Sequence, residues 1–480
     1  MTRSQALSPL VAKEVRALLP LAGGTLTALA AAFTWRHRAL AEVGVVAYVI
    51  GVMTIGAHAI GHEYTFRTLP FSLGQPIARW RMFAIKFAVI IAMLSVLGAI
   101  AAAIMTSPEF REPRPLAAAL LPVLAGVCVT PLFTILCRST LAGAVLGASS
   151  PMVIWILSVM FAWAIFGVDG DTTTTWFLDQ WVVIAAIACP ILGALTWRAY
   201  YRMEAIDGTP APLTLPRWLA GRAGVRRPAP WRALIIKELH LQQMTIAITL
   251  VYAVFWVTGI ALQPHVPSML LLPLEAVLLL YCMGLTIVIG ALASAEERQL
   301  GTHEGQLLQP VGAWRQWIAK CAVAFGLALL LGVVMPAVLI GLVPPQPVAS
   351  QMRTEISVTI ALLAVVLTAS SLWISSMTGS GVKAMAWALP VGVGAALFIQ
   401  TVRTTVASAS AQLGTPLPAD NTEATVIASG VLPLLVVPAL VWFGYLNHMS
   451  GERSVARVLS QMAALALLIV ASIVIAGVLV

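Results

Sequence analysis

The hydrophobic positions of this chain fall in long unbroken runs, parted by short polar loops, with no period-two alternation. A helix crosses the hydrocarbon core of a bilayer with about 20 apolar residues, and lipid offers no partner to an unpaired N–H or C=O. Continuous runs of that length predict transmembrane α-helices, because barrel strands would alternate. Thirteen spans are predicted, at 18–35, 41–60, 84–106, 116–137, 142–167, 181–200, 244–262, 272–293, 318–343, 356–377, 382–402, 427–446 and 456–478. The fold class is an all-α integral membrane protein.

Composition and charge add orientation to that picture. Hydrophobic residues make up 60% of the 480 positions and charged residues only 10%, against about 25% charged in soluble domains. Lys and Arg favour cytoplasmic loops. With the N-terminus inside, the inner loops hold 22 Lys+Arg and 9 Asp+Glu, and the outer loops hold 6 and 10. Arg36 and Arg38, in the first outer loop, are the main dissent. The net charge of +9 therefore reads as topology, and nothing calls for nucleic acid. The thirteenth span then leaves the C-terminus outside. The opening residues MTRSQALSPLVAKEVRALLP carry charge through Arg16 and do not read as a secretory signal. Cys128, Cys137, Cys189, Cys282 and Cys321 show no CxxC spacing and read as packing residues.

The segment Arg202–Trp231 is the longest polar stretch, rich in proline and basic at Arg222, Arg226, Arg227 and Arg232. Proline and glycine oppose a stable helix there, so it reads as a cytoplasmic linker anchored inside, with a contact to anionic lipid as the alternative. A second polar interruption, EERQLGTHEGQLLQPVGAWRQWIAK at 296–320, has an echo 234 positions earlier, HEYTFRTLPFSLGQPIARWRMFAIK at 62–86. Identities fall at Glu63/Glu297, Thr68/Thr302, Leu73/Leu307, Gln75/Gln309, Pro76/Pro310, Trp80/Trp314, Arg81/Arg315 and Lys86/Lys320. Lys13-Glu14 before the first span pairs with Lys237-Glu238 before the seventh, at an offset of 224. Such a duplication predicts two parallel six-helix repeats forming a pseudo-dimer, plus one extra C-terminal transmembrane helix. The expected divisions are 1–204, a linker at 205–230, 231–448 and 449–480.

This pattern resembles the permeases of type-2 ATP-binding-cassette exporters, which have six spans, an interfacial elbow helix and a loop between spans two and three that touches the ATPase. The second half carries that loop's pattern at Glu297, Gly301, Thr302, Glu304, Leu307, Leu308, Pro310, Arg315 and Lys320. The first keeps Glu63, Thr68, Leu73, Pro76, Arg79, Arg81 and Lys86, but has Arg67 for the glycine and Pro70 for the second glutamate. The resemblance implies elbow helices bearing Lys13, Glu14, Lys237 and Glu238, and coupling helices at 66–75 and 301–309. It further implies a multi-pass protein of a prokaryotic cell membrane that works with a cytoplasmic ATP-binding subunit in two copies. ATP and Mg would reside on that partner and no cofactor on this chain. The cargo would be a small molecule, lipid or peptide, moved by alternating access. Physically, Gly301 frees the backbone to turn, Thr302 can cap a short helix with Glu304 near its positive end, and Pro310 ends it. An interfacial helix that merely anchors the loop is the alternative.

No GxxxxGK[ST] run occurs, so the chain carries no nucleotide-binding motif and is not read as an enzyme. A twelve-span ion-coupled transporter is an alternative; it is disfavoured because Lys383, Arg138, Arg198, Glu42, Glu275 and Arg403 all fall near span ends. The outer-loop acids Asp169, Asp171, Asp179, Asp420 and Glu423 read as solvated polarity, in loops too short for a large extracytoplasmic domain. A remote alternative is an intramembrane metalloenzyme using His58, His62 and Glu63, although the order departs from His-Glu-x-x-His. His303 is expected to face solvent, and Trp80 and Trp314 to anchor at the membrane surface.

Overall fold

The computed structural model describes residues 7–34, 38–65, 68–106, 115–150, 187–203, 230–262, 267–307, 311–341, 347–412, 422–450 and 454–479. The linker at 205–230 (its last residue excepted), the outer acids Asp169, Asp171, Asp179 and Asp420, and most of the span at 142–167 lie outside these residues, as do Arg67, Leu308 and Pro310. Every regular element among the described residues is helical. Ten helices among the described residues are long and apolar enough to cross a membrane: Pro9–Phe33, Val43–Thr65, Arg79–Met105, Ala119–Cys137, Gln243–Ala261, Val277–Gln299, Ala313–Gly341, Ile360–Met377, Gly381–Phe398 and Val455–Ser472. Pro433–Met449 is a shorter apolar helix at the twelfth expected span. The protein is thus an all-α, multi-pass membrane protein, the class in which helices pair their own backbone polar groups as lipid requires. All five cysteines are free thiols.

The chain divides into two compact units, Met1–Arg226 with Val254–Val277, and Arg227–Ala253 with Leu278–Val480. In the first unit, α1 (Leu7–Thr34), α2 (Arg38–Thr65) and a short α3 (Leu69–Leu73) precede α4 (Arg79–Met105). Next come α5 (Pro115–Leu124), a π-helical turn (Ala125–Val129), α6 (Thr130–Cys137), α7 (Thr140–Ser150) and α8 (187–201). The expected elbow does not stand apart from the first span here, because α1 runs through both without a break and carries Pro20 inside it. The centre of the unit is α2, 89% of whose apolar span is buried. Lipid supplies no hydrophobic drive between helices, so close contact falls to small residues. A Cβ on Gly56 would come 2.1 Å from the Gly126 carbonyl oxygen, so α2 meets the π turn backbone to backbone. That turn precedes Pro131, which lacks an N–H and leaves the regular ladder incomplete. The Thr130 hydroxyl donates to the Gly126 carbonyl at 2.6 Å and compensates.

The second unit begins with α9 (Pro230–Leu241) and the start of α10 (Gln243–Leu262), which is separated from α9 at Gln242, unlike the continuous α1. The Gln242 amide donates to the Ile289 carbonyl at 2.9 Å, holding this break against α11 (Pro267–Leu300). Then follow α12 (His303–Leu307), α13 (Ala313–Leu329), a second π turn (Leu330–Val334) and α14 (Met335–Gly341). The last four helices are α15 (Pro347–Met377), α16 (Gly381–Gln412), α17 (Thr422–Met449) and α18 (Val455–Leu479). This π turn again precedes a proline, Pro336, and here the Tyr281 hydroxyl reaches the Leu331 carbonyl at 2.8 Å. Chain continues as helix through Pro390 in α16 and through Pro433 and Pro438 in α17.

The thirteenth span, α18, buries only 17% of its apolar stretch. Polar groups attach it instead. Gln461 and Asn447 exchange two amide hydrogen bonds, both 3.1 Å, and the Trp373 indole N–H donates to Gln461 at 2.9 Å. In lipid such bonds hold helices that burial alone cannot.

Candidate functional site: two buried lysine–glutamate clusters beside short loop helices

In the first unit, Glu14 on α1, Glu63 at the end of α2 and Lys86 on α4 are each no more than 4% exposed. The Lys86 ammonium lies 2.8 Å from Glu14 Oε1 and 3.1 Å from Glu63 Oε1, and donates to the Ala59 carbonyl at 3.4 Å. Lys13, partly exposed, approaches Glu63 at 3.8 Å from outside. Taking charges out of water costs several kcal/mol each, so such groups persist only when paired. The Ser72 hydroxyl donates to Glu63 at 2.8 Å and ties the short loop helix α3 into the same knot.

The second unit repeats the wiring. Lys320 on α13 lies 3.0 Å from Glu238 Oε1 on α9 and 2.6 Å from Glu297 Oε2 on α11, and donates to the Ala293 carbonyl at 2.9 Å. Lys237 pairs with Glu297 and lies 3.6 Å from Glu238. Burial pushes the Glu238 carboxyl above its ordinary range, with Glu297 adding to the push and the two lysines opposing it. Lys13 and Glu14, expected on one element, and Glu63 and Lys86, expected on another, therefore meet in one place. The same holds for their four counterparts.

The loops match in backbone as well. In the first, the Thr68 N–H donates to the Glu63 carbonyl (2.9 Å), Ser72 N–H to Thr68 (2.9 Å) and Arg81 N–H to Ala78 (2.9 Å). In the second, Thr302 N–H donates to Glu297 (3.0 Å), Gln306 N–H to Thr302 (3.0 Å) and Arg315 N–H to Gly312 (2.9 Å). The coupling helices expected at 66–75 and 301–309 are five residues each, Leu69–Leu73 and His303–Leu307. Gly301 has φ +70°, the left-handed turn that favours glycine. Thr302, expected to cap α12 with its hydroxyl, turns it back to the Glu297 carbonyl at 3.3 Å. The backbones of Leu73, Glu304 and Leu307 belong to these helices, whereas Leu308 and Pro310 are not among the described residues. Pro76 and Arg315 are exposed. Arg81 lies 5.2 Å over the Trp80 ring, and Trp80 and Trp314 are both half exposed.

His303 does not face solvent. It is buried at 6% exposure, with its ring 5.1 Å from that of His448 on α17, itself against Trp317. Its burial and the Arg298 guanidinium nearby depress its basicity. Nothing in the sequence links α17 to the loop 145 positions away. Phe71 was also missed: it projects from α3 at 79% exposure, while its neighbour Leu69 is buried. An apolar ring at the tip of a polar loop was the available signal.

The only group of potential metal ligands among the described residues is Glu14, His62 and Glu63, all buried. His58 is not part of it. His62 uses Nδ1 to meet the His58 carbonyl at 3.0 Å, and its Nε2 lies 3.9 Å from Glu14. The Lys86 ammonium already bonds both carboxylates, so their negative charge is met by a tethered cation. The second unit meets the same pair of carboxylates with lysine and has Glu296 where His62 stands. The chemistry of the site is ionic cross-linking of three helices and a loop. The chain matches no known protein-family model, no curated protein and no solved structure.

Proposed function

We propose that the chain is the permease subunit of an ATP-driven exporter resembling the type-2 ATP-binding-cassette permeases, with two parallel six-span halves fused as a pseudo-dimer and a thirteenth span added. The observation that carries this reading is the recurrence of one device: a lysine held between two glutamates and an alanine carbonyl, beside a five-residue loop helix. An anchoring loop needs only an apolar side. A loop tied through buried ion pairs to the ends of three helices is suited to pass a push on to them.

In this reading a cytoplasmic ATP-binding subunit, in two copies, holds ATP and Mg and closes on the loop helices. Phe71 offers that partner an apolar contact, and the displacement passes through Ser72 and Glu63 to α1, α2 and α4. In the second half it passes through Glu297 to α9, α11 and α13. The spans then expose the cargo path alternately to each side of a prokaryotic cell membrane, with the N-terminus cytoplasmic. The apolar interior favours an amphiphilic cargo.

Affinity purification from the native cell in mild detergent tests the class. A co-isolated soluble subunit with a P-loop, whose ATPase rate rises with this chain, supports it. Isolation without such a subunit, with transport that follows a proton gradient in vesicles, overturns it in favour of an ion-coupled transporter.

A further inference from the structure

Along α8 the side chains change character in the order in which a lipid changes from tail to headgroup. Ile191 and Leu195 are exposed and apolar, and the last part of the helix interleaves aromatic and basic residues, Trp197, Arg198, Tyr201 and Arg202. These six residues line an open groove of about 590 Å³. Ile191 to Arg202 spans about 16 Å of helix, enough to run from hydrocarbon to the charged headgroup layer.

The groove's charged end is held in place. The Arg79 guanidinium donates to the Tyr201 carbonyl at 2.6 Å and to the Met203 carbonyl at 3.1 Å, closing the last turn of α8. The Trp197 ring lies 5.0 Å edge-on from Phe83 on α4 and 5.6 Å from Tyr201. Arg198 and Arg202 are one turn apart on the same face, both are exposed, and neither has an acidic partner among the described residues.

We infer that this groove binds an anionic glycerophospholipid: the two guanidinium groups take its phosphate, Trp197 and Tyr201 flank its glycerol region, and Ile191 and Leu195 lie along an acyl chain. Arginine forks suit phosphate oxygens, indole and phenol rings favour the interface, and basic pockets at helix ends suit acidic headgroups. A soluble acidic partner would have no use for the apolar half of the groove.

The test uses the full chain purified in detergent, stripped of lipid and titrated with phosphatidylglycerol or phosphatidylcholine of identical acyl chains, with bound lipid counted by native mass spectrometry. Phosphatidylglycerol is expected to bind more tightly, and the double variant R198Q/R202Q to weaken it by roughly thirtyfold. R198K/R202K, which keeps charge but not the fork, should fall between, and R16Q on α1 should bind as the parent does. Equal binding of the two lipids to the parent overturns the inference, as does parental binding by R198Q/R202Q. Displacement of phosphatidylglycerol by millimolar glycerol phosphate overturns the lipid assignment and leaves a site for free phosphate.

Discussion

Replacing Lys320 by methionine removes the buried ammonium between Glu238 and Glu297, at 3.0 and 2.6 Å, in a place only 1% exposed. Methionine keeps much of the volume, so the loss is chiefly electrostatic. Two buried carboxylates then share Lys237, whose side chain is one-third exposed and partly screened. Breaking a buried pair from one side costs about 3–5 kcal/mol, because the surviving charge remains desolvated. Replacing the whole set is far gentler, so K320M/E238Q/E297Q should recover to within about 1 kcal/mol of the parent. Unfolding in mixed micelles of dodecyl maltoside and increasing dodecyl sulfate, followed by tryptophan fluorescence, measures both. The reasoning is refuted if K320M loses under about 1 kcal/mol, or if the triple variant is no more stable than the single one.

Three further outcomes follow from other parts of the molecule. Gln461→Leu removes two amide bonds and the acceptor of the Trp373 indole; it should cost about 1–2 kcal/mol and speed proteolysis at the loop before α18, whereas an unchanged digestion pattern argues that apolar packing holds α18. Phe71→Ser should leave the melting temperature within about 2 °C and, with the ATP-binding subunit proposed above, reduce its stimulation several-fold; full stimulation would take Phe71 out of the proposed contact. His303 is held neutral by burial, so the unfolded state binds more protons below the ordinary imidazole range. Stability should therefore fall as pH drops from 7.5 through 6.5 to 5.5, by at most about 1.4 kcal/mol per unit for this group, and His303→Gln should flatten that slope.

Much of this molecule is visible in its sequence. The apolar runs give the helices, and the 234-residue echo places Glu63 with Glu297 and Lys86 with Lys320 at matching ends of matching helices. The starts of α4 and α13, Arg79 and Ala313, keep the same offset, because local turn chemistry determines both. What sequence does not show is that Glu14 meets Lys86 across 72 residues, since a buried ion pair depends on how separate helices pack. The same is true of His303, whose neighbours Trp317 and His448 come from two other helices. The unbroken α1 has a different cause. Nothing between Lys13 and Leu19 stops a helix, whereas Gln242 in the second unit engages the Ile289 carbonyl with its side chain, and the chain changes helix there.

The two clusters also separate what the device requires from what surrounds it. Both keep a lysine between two glutamates and an alanine carbonyl, with a second lysine at the rim. The side-chain ties of the loops differ: Ser72 donates to Glu63 of the first cluster, while in the second unit Gln316 on α13 donates to the Gln306 and Val311 carbonyls of the loop at 3.0 and 2.8 Å, without touching the cluster. Position 62 is histidine and its counterpart 296 is glutamate. An anchoring loop would show the reverse economy, with its own apolar contacts kept and the ionic knot dispensable, because buried ion pairs add little net stability over an apolar core. Ion pairs that add so little net stability are not accounted for by anchoring alone, and they suit the coupling of three helix ends proposed above.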